Sequence, residues 1–109
     1  MKQIGEKYRV SIPVIGHAGD GNLHAMPLKN PDESVARWEE ILPLLLRDIY
    51  VMTAEVGGTI SGEHGIGHKR RDFMELVMSQ AQLDMMRRIK RALDPNNILN
   101  PGKIFSLGG

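Results

Sequence analysis

The chain contains no cysteine. That absence removes disulfide bridges, thiolate metal sites and cysteine nucleophiles together, leaves histidine and carboxylate as the available metal ligands, and points to a reducing, cytoplasmic setting. Charge of one sign is lacking as well, since 14 Lys and Arg stand against 13 Asp and Glu for a net charge of +1. No global field gathers nucleic acid or an anionic membrane, so neither is expected as a partner. Hydrophobic runs are short. The longest, Ile41 to Leu46, is interrupted by Pro43 and falls far below the ~20 residues that cross a bilayer. Met1-Lys2-Gln3-Ile4-Gly5 lacks the apolar centre of a signal peptide. With 109 residues, 41% of them hydrophobic, the composition is that of one ordinary domain with a modest core, too small for a large independent enzyme.

Two stretches rich in apolar and β-branched side chains, Tyr8 to Ile15 and Leu23 to Leu28, flank Gly19-Asp20-Gly21-Asn22 and predict a β-hairpin. Pro13 cannot donate to a ladder, which places it at an edge or a bulge. Asn30 as N-cap, Pro31 in the first turn and Glu33 at the third position predict a helix start. Val35, Trp38, Ile41, Leu42, Leu45, Ile49, Met52 and Val56 then recur at steps of three and four, a long amphipathic helix ending before Gly57-Gly58. Pro43 inside it predicts a kink, or a break into two helices, near Glu39 to Leu42. Thr59-Ile60-Ser61 suits a short third strand, and Asp72 to Met78 a short helix. Ser79 and Gln82 form a capping-box signature for a helix with Leu83, Met86, Ile89 and Leu93 on one face, stopped at Asp94-Pro95. The tail from Asn96 reads as extended, with no core of its own. The expected class is α+β: a hairpin, a third short strand and two to four helices.

All four histidines fall in two glycine-rich stretches, His17 and His24 in GHAGDGNLH and His64 and His68 in GEHGIGH. If Asp20-Gly21 is a two-residue turn, Gly19 pairs with Asn22, Ala18 with Leu23 and His17 with His24. Directly opposed Cβ atoms lie about 4.5–5.5 Å apart on one face, which suits two imidazoles converging on one ion. The same pair also reads as stacked or hydrogen-bonded histidines near a sheet edge, with no ion; the residues alone leave both open. No zinc-protease HExxH spacing is present. On an extended backbone Glu63 and His64 point to opposite sides, so the economical assignment is one as ligand and its neighbour as an acid–base group. A carboxylate ligand adds negative charge beside a dication, whereas an imidazole suits proton abstraction near neutral pH. Both Gly16 to Gly21 and Gly62 to Gly67 read G-x-x-G-x-G, which is neither the dinucleotide nor the P-loop pattern. His68-Lys69-Arg70-Arg71 reads as a solvated helix face, or as a basic run meeting an acidic substrate or a phosphate. Met74, Met78, Met85 and Met86 read as adaptable core.

GHAGDGNLH at 16–24, GGTISGEHGIGHKR at 57–70 and DPNNILNPGKIF at 94–105 together resemble, in order, the carboxy-terminal part of the FAD-linked oxidase family. That family includes the FAD-binding subunit of glycolate oxidase and the D-lactate and D-2-hydroxyglutarate dehydrogenases. The likeness runs from about Arg9 to Phe105. It implies a flavoenzyme in which an amino-terminal domain binds FAD and a cap-like α+β domain carries the substrate site. It also implies His17, His24 and Glu63 as ligands of a divalent metal, usually zinc, and His64 as the catalytic base. Asn97, Asn100 and Lys103 become candidates for contacts on the FAD side, and His68 takes no family role. Nothing here matches the FAD-binding domain, so residues 1–109 read as a carboxy-terminal cap fragment of an FAD-dependent 2-hydroxy-acid oxidase or dehydrogenase. Such a fragment is expected to be inactive alone, to work with an FAD-binding domain or subunit on a 2-hydroxy acid, and to cover its exposed strand edges in a homodimer or leave them prone to pairing. The alternative is a stand-alone small metal-binding or subunit-docking module without catalysis.

Overall fold

The structure, a computed structural model, describes residues 1–108. It divides into two compact units, Met1–Met52 and Thr53–Gly109.

The first unit opens with a helix, α1 (Lys2–Tyr8), where the sequence predicts strand from Tyr8 onward. Tyr8 is claimed by a tertiary contact: its hydroxyl donates to Asp48 at 2.8 Å, and the Lys7 ammonium donates to the same carboxylate at 2.6 Å. The lysine and then the tyrosine hold that carboxyl below its ordinary range. Arg9, in the left-handed region at φ 57°, closes the helix by donating to Gly5 and Glu6 carbonyls. The hairpin follows as β1 (Val14–His17) and β2 (Asn22–Ala25), antiparallel. Beyond it an isolated bridge joins Ser11 and Leu28. Pro13 sits between the two as expected, offering its carbonyl to Met26 N–H at 2.9 Å at a point where no donor is asked of it.

Helix α2 (Val35–Glu55) starts four residues later than expected. Asn30 spends its side chain on Asp32 N–H at 3.1 Å, an Asx turn, and Ser34 Oγ accepts from Arg37 N–H at 3.2 Å as the working cap. Pro43 does not break it. Pro43 and Glu39, whose carbonyl the proline leaves without its helical donor, are both exposed, so water can serve that carbonyl and the helix continues. Ile41, Leu45 and Ile49, spaced by four, form its buried stripe.

In the second unit the expected third strand is absent. Among the described residues β1 and β2 form the whole sheet, and Thr59-Ile60-Ser61, short and bounded by glycines, finds no ladder partner although Ile60 is buried. The predicted short helix is a 3-10 helix, Arg71–Leu76, with Met74 buried. Of the four methionines read as core, Met78 and Met86 are half-buried and Met85 is exposed. Helix α3 (Gln80–Leu93) carries the full capping box: Ser79 Oγ accepts from Gln82 N–H at 3.3 Å, and Gln82 Oε1 accepts from Ser79 N–H at 2.8 Å. Leu83 is buried, but Ile89 and Leu93 farther along the expected face are exposed. Asp94 ends the helix as a buried carboxylate that accepts from Ile98 N–H at 3.0 Å, Leu99 N–H at 2.9 Å and the Lys90 ammonium, tying the tail to the helix end.

Candidate functional site

The hairpin half of the site rests on register. Val14 pairs with Ala25, Ile15 with His24, Gly16 with Leu23 and His17 with Asn22. The predicted direct pairing of His17 with His24 is therefore wrong by two residues, because Ala18–Asp20 winds into a 3-10 turn completed by Gly21 at φ 68° and lengthens the loop beyond Asp20-Gly21. A slip of two keeps every side chain on its face, where a slip of one would have reversed it. His17 and His24 thus remain on one face as diagonal neighbours, with ring centroids 6.5 Å apart and ring planes at 77°. His17 is exposed and His24 half-buried.

That spacing decides whether one ion could join them. A ring centroid lies about 3.2 Å from a metal bound to its nitrogen, given a Zn–N bond of about 2.0–2.1 Å plus the ring radius. Two rings on one tetrahedral ion therefore stand about 5.2 Å apart, so from 6.5 Å the pair must close by about 1.3 Å, which side-chain rotation has to supply. The pair lies on one face within rotamer reach of a shared ion, and a chelate requires the rings to close. Gly16 makes the hairpin possible: at φ 150° its missing Cβ would stand 2.2 Å from the Asn22 carbonyl oxygen.

In the second unit Glu63 and His64 are exposed in successive bends from Gly62 to His64, so the extended backbone assumed for their alternation is not what they adopt. The loop then turns through Gly65 at φ 75° and Gly67 at φ 55°, left-handed positions suited to glycine. His68 to Arg70 is turn rather than the predicted helix face, and its basic side chains do not all face water. Arg70 donates to the Gly65 carbonyl at 2.8 Å, and Arg71 donates to the Gly102 carbonyl at 3.1 Å and to Asp72 at 3.1 Å. These two arginines are the structural residues that sequence reasoning missed; the one available signal was their place directly after the glycine loop.

Asn97, Asn100 and Lys103 are exposed on the tail. Asn97 at φ 51° and Asn100 at φ 46° occupy left-handed turn positions, which asparagine tolerates better than most side chains and which already accounts for their residue type. No helix among the described residues is long and apolar enough to cross a membrane.

The family model described as FAD linked oxidases, C-terminal domain, matches residues 1–104. The chain belongs to that family. Within it, the chain is 40% identical over 109 residues to the glycolate oxidase subunit GlcD of Bacillus subtilis, covering 97% of this chain and 22% of that protein. It is 43% identical over 89 residues to a D-lactate dehydrogenase of Anaerostipes hadrus, covering 82% and 18%. With D-2-hydroxyglutarate dehydrogenase of Stutzerimonas stutzeri the identity is 36% over 104 residues, covering 94% and 22%. The chain spans about a fifth of the length of these relatives. All three motifs that carried the resemblance, at 16–24, 57–70 and 94–105, begin within the matched range.

Proposed function

We propose that residues 1–109 supply the substrate-side half of an FAD-dependent oxidase or dehydrogenase acting on a 2-hydroxy acid, in concert with an FAD-binding domain or subunit. The observation that carries this reading is the pair His17 and His24, presented on one face of the hairpin within rotamer reach of a shared ion; family membership supplies the reaction class. His17 and His24 offer imidazole nitrogens, and Glu63 is the third ligand, its charge balancing a dication. A divalent metal held there, most simply zinc, would supply Lewis acidity toward the substrate hydroxyl, and FAD on its own domain would supply the hydride acceptor. His64, beside Glu63 and exposed, takes the hydroxyl proton on a ring nitrogen. Asn97, Asn100 and Lys103, exposed on the tail, are the groups of this chain open to contact with the cofactor domain.

Zinc titration of the chain tests the ligand set, with wild type compared against His17→Ala, His24→Ala, Glu63→Gln and His64→Asn. One ion per chain is expected in wild type, weakened binding in the first three variants, and retained binding in His64→Asn. With the FAD-binding domain supplied, His64→Asn should also slow flavin reduction by roughly 10²–10⁴-fold, the range for loss of a general base. Equal zinc binding in wild type and all variants would overturn the ligand assignment. Loss of metal in step with activity in His64→Asn would overturn the division of roles between Glu63 and His64.

A further inference from the structure

Gly65 and Gly67, both left-handed, leave the loop carrying Glu63 and His64 free to take many backbone conformations unless something restrains it. Two hydrogen bonds on the loop do so directly, Arg70 to the Gly65 carbonyl at 2.8 Å and the Ile104 N–H to the Gly67 carbonyl at 2.7 Å. A third, from Arg71 to the Gly102 carbonyl at 3.1 Å, fastens the segment that carries Ile104. Ile104 stands at φ 70°, and Phe105 N–H donates to the Lys103 carbonyl at 2.8 Å across it, which makes Lys103 to Phe105 a γ-turn of the strained hand. A β-branched residue occupies that conformation only where its surroundings enforce it, and such residues cluster where geometry serves function.

We propose that this γ-turn is a latch that fixes the Glu63–His64 loop, with Ile104 and Arg71 as positioning residues for the ligand and the base. The proposal deepens the functional reading above and rests on the roles given there to Glu63 and His64. Ile104 is exposed, and the part of it that holds the loop is its backbone N–H.

The test is amide hydrogen exchange on the full chain, read at residues 62–68 and along α3, together with zinc titration. Ile104→Pro removes the N–H and forces φ negative. Arg71→Gln cuts the Gly102 bond while leaving the backbone intact and serves if the proline variant does not fold. Ile104→Asn keeps the N–H and accepts positive φ more readily than a β-branched side chain. Exchange at 62–68 should accelerate in Ile104→Pro and Arg71→Gln with α3 unchanged, zinc affinity should fall by roughly 10–100-fold, the range for groups that orient metal ligands, and Ile104→Asn should restore both readouts. Unchanged exchange at 62–68 in Arg71→Gln, or equal acceleration at α3, overturns the latch. A wild-type chain that binds no zinc overturns the ligand assignment instead, and exchange then judges the latch alone.

Discussion

Replacing Gly16 by alanine should disable the histidine pair without touching either imidazole. The new Cβ would lie 2.2 Å from the Asn22 carbonyl oxygen, 3.0 Å from Leu23 Cα and 3.2 Å from the Asn22 carbonyl carbon, all of them backbone atoms that cannot swing aside. Since Cβ atoms essentially never approach below 3.0 Å, the strands must separate by the difference between 3.0 and 2.2 Å, that is by 0.8 Å or more, next to His17. The displacement carries the two rings farther from the separation at which they share one ion, adding to the closure that side-chain rotation must already supply. Backbone strain at φ 150° adds a cost of order 1–3 kcal/mol for an alanine forced to stay there. Gly16→Ala is therefore expected to weaken zinc binding about as much as His17→Ala does. Gly19→Ala is the control, because nothing lies within 4 Å of its added Cβ. Isothermal titration with zinc reads the affinity, and circular dichroism confirms that α2 and α3 persist. A Gly16→Ala chain that binds zinc like the wild type and like Gly19→Ala would refute the claim that close strand approach sets the spacing of the pair.

Two further outcomes follow from α3. Ser79→Ala removes one arm of the capping box and should cost about 1 kcal/mol, a fall of about 4–8 °C in the thermal midpoint; an unchanged midpoint would mean that the cap adds nothing. The Asp94 carboxyl is pulled down to about 2, first by the Lys90 ammonium and further by the Leu99 and Ile98 amides, against burial, which pushes it up. A depressed carboxylate stabilises the fold above the ordinary range near ~3.9, and that contribution fades as pH falls from there toward about 2. Acid unfolding followed by circular dichroism should show the loss in that window for wild type and a flatter acid limb for Asp94→Asn; superimposable curves would refute it.

Much of the molecule was legible because local chemistry and tertiary packing agree there. The buried stripe Ile41, Leu45 and Ile49 follows helical spacing, and Ser79 with Gln82 cap each other as the pattern promises. Elsewhere tertiary contacts won. Tyr8 has strand propensity, yet its hydroxyl is drawn to Asp48, forty residues away in sequence, and it ends a helix. Thr59-Ile60-Ser61 has strand-like residues but no neighbouring strand, and propensity without a ladder partner makes no sheet. Ser34 displaced Asn30 as the cap of α2 because Asn30 found a nearer backbone donor in Asp32.

The histidine pair shows how a candidate site survives an error in the fold. Asp20-Gly21 favours a two-residue turn, whereas the chain forms a longer loop with a 3-10 turn from Ala18 to Asp20. The resulting slip was two residues, an even number, so the facing of His17 and His24 was preserved although their direct pairing was lost. A one-residue misjudgement would have placed them on opposite faces. Facing depends only on the parity of the register, whereas spacing depends on the register itself and on Gly16 letting the strands close. Sequence patterns carry parity well and loop length poorly, which is why the residues of the pair could be named in advance and their 6.5 Å separation could not.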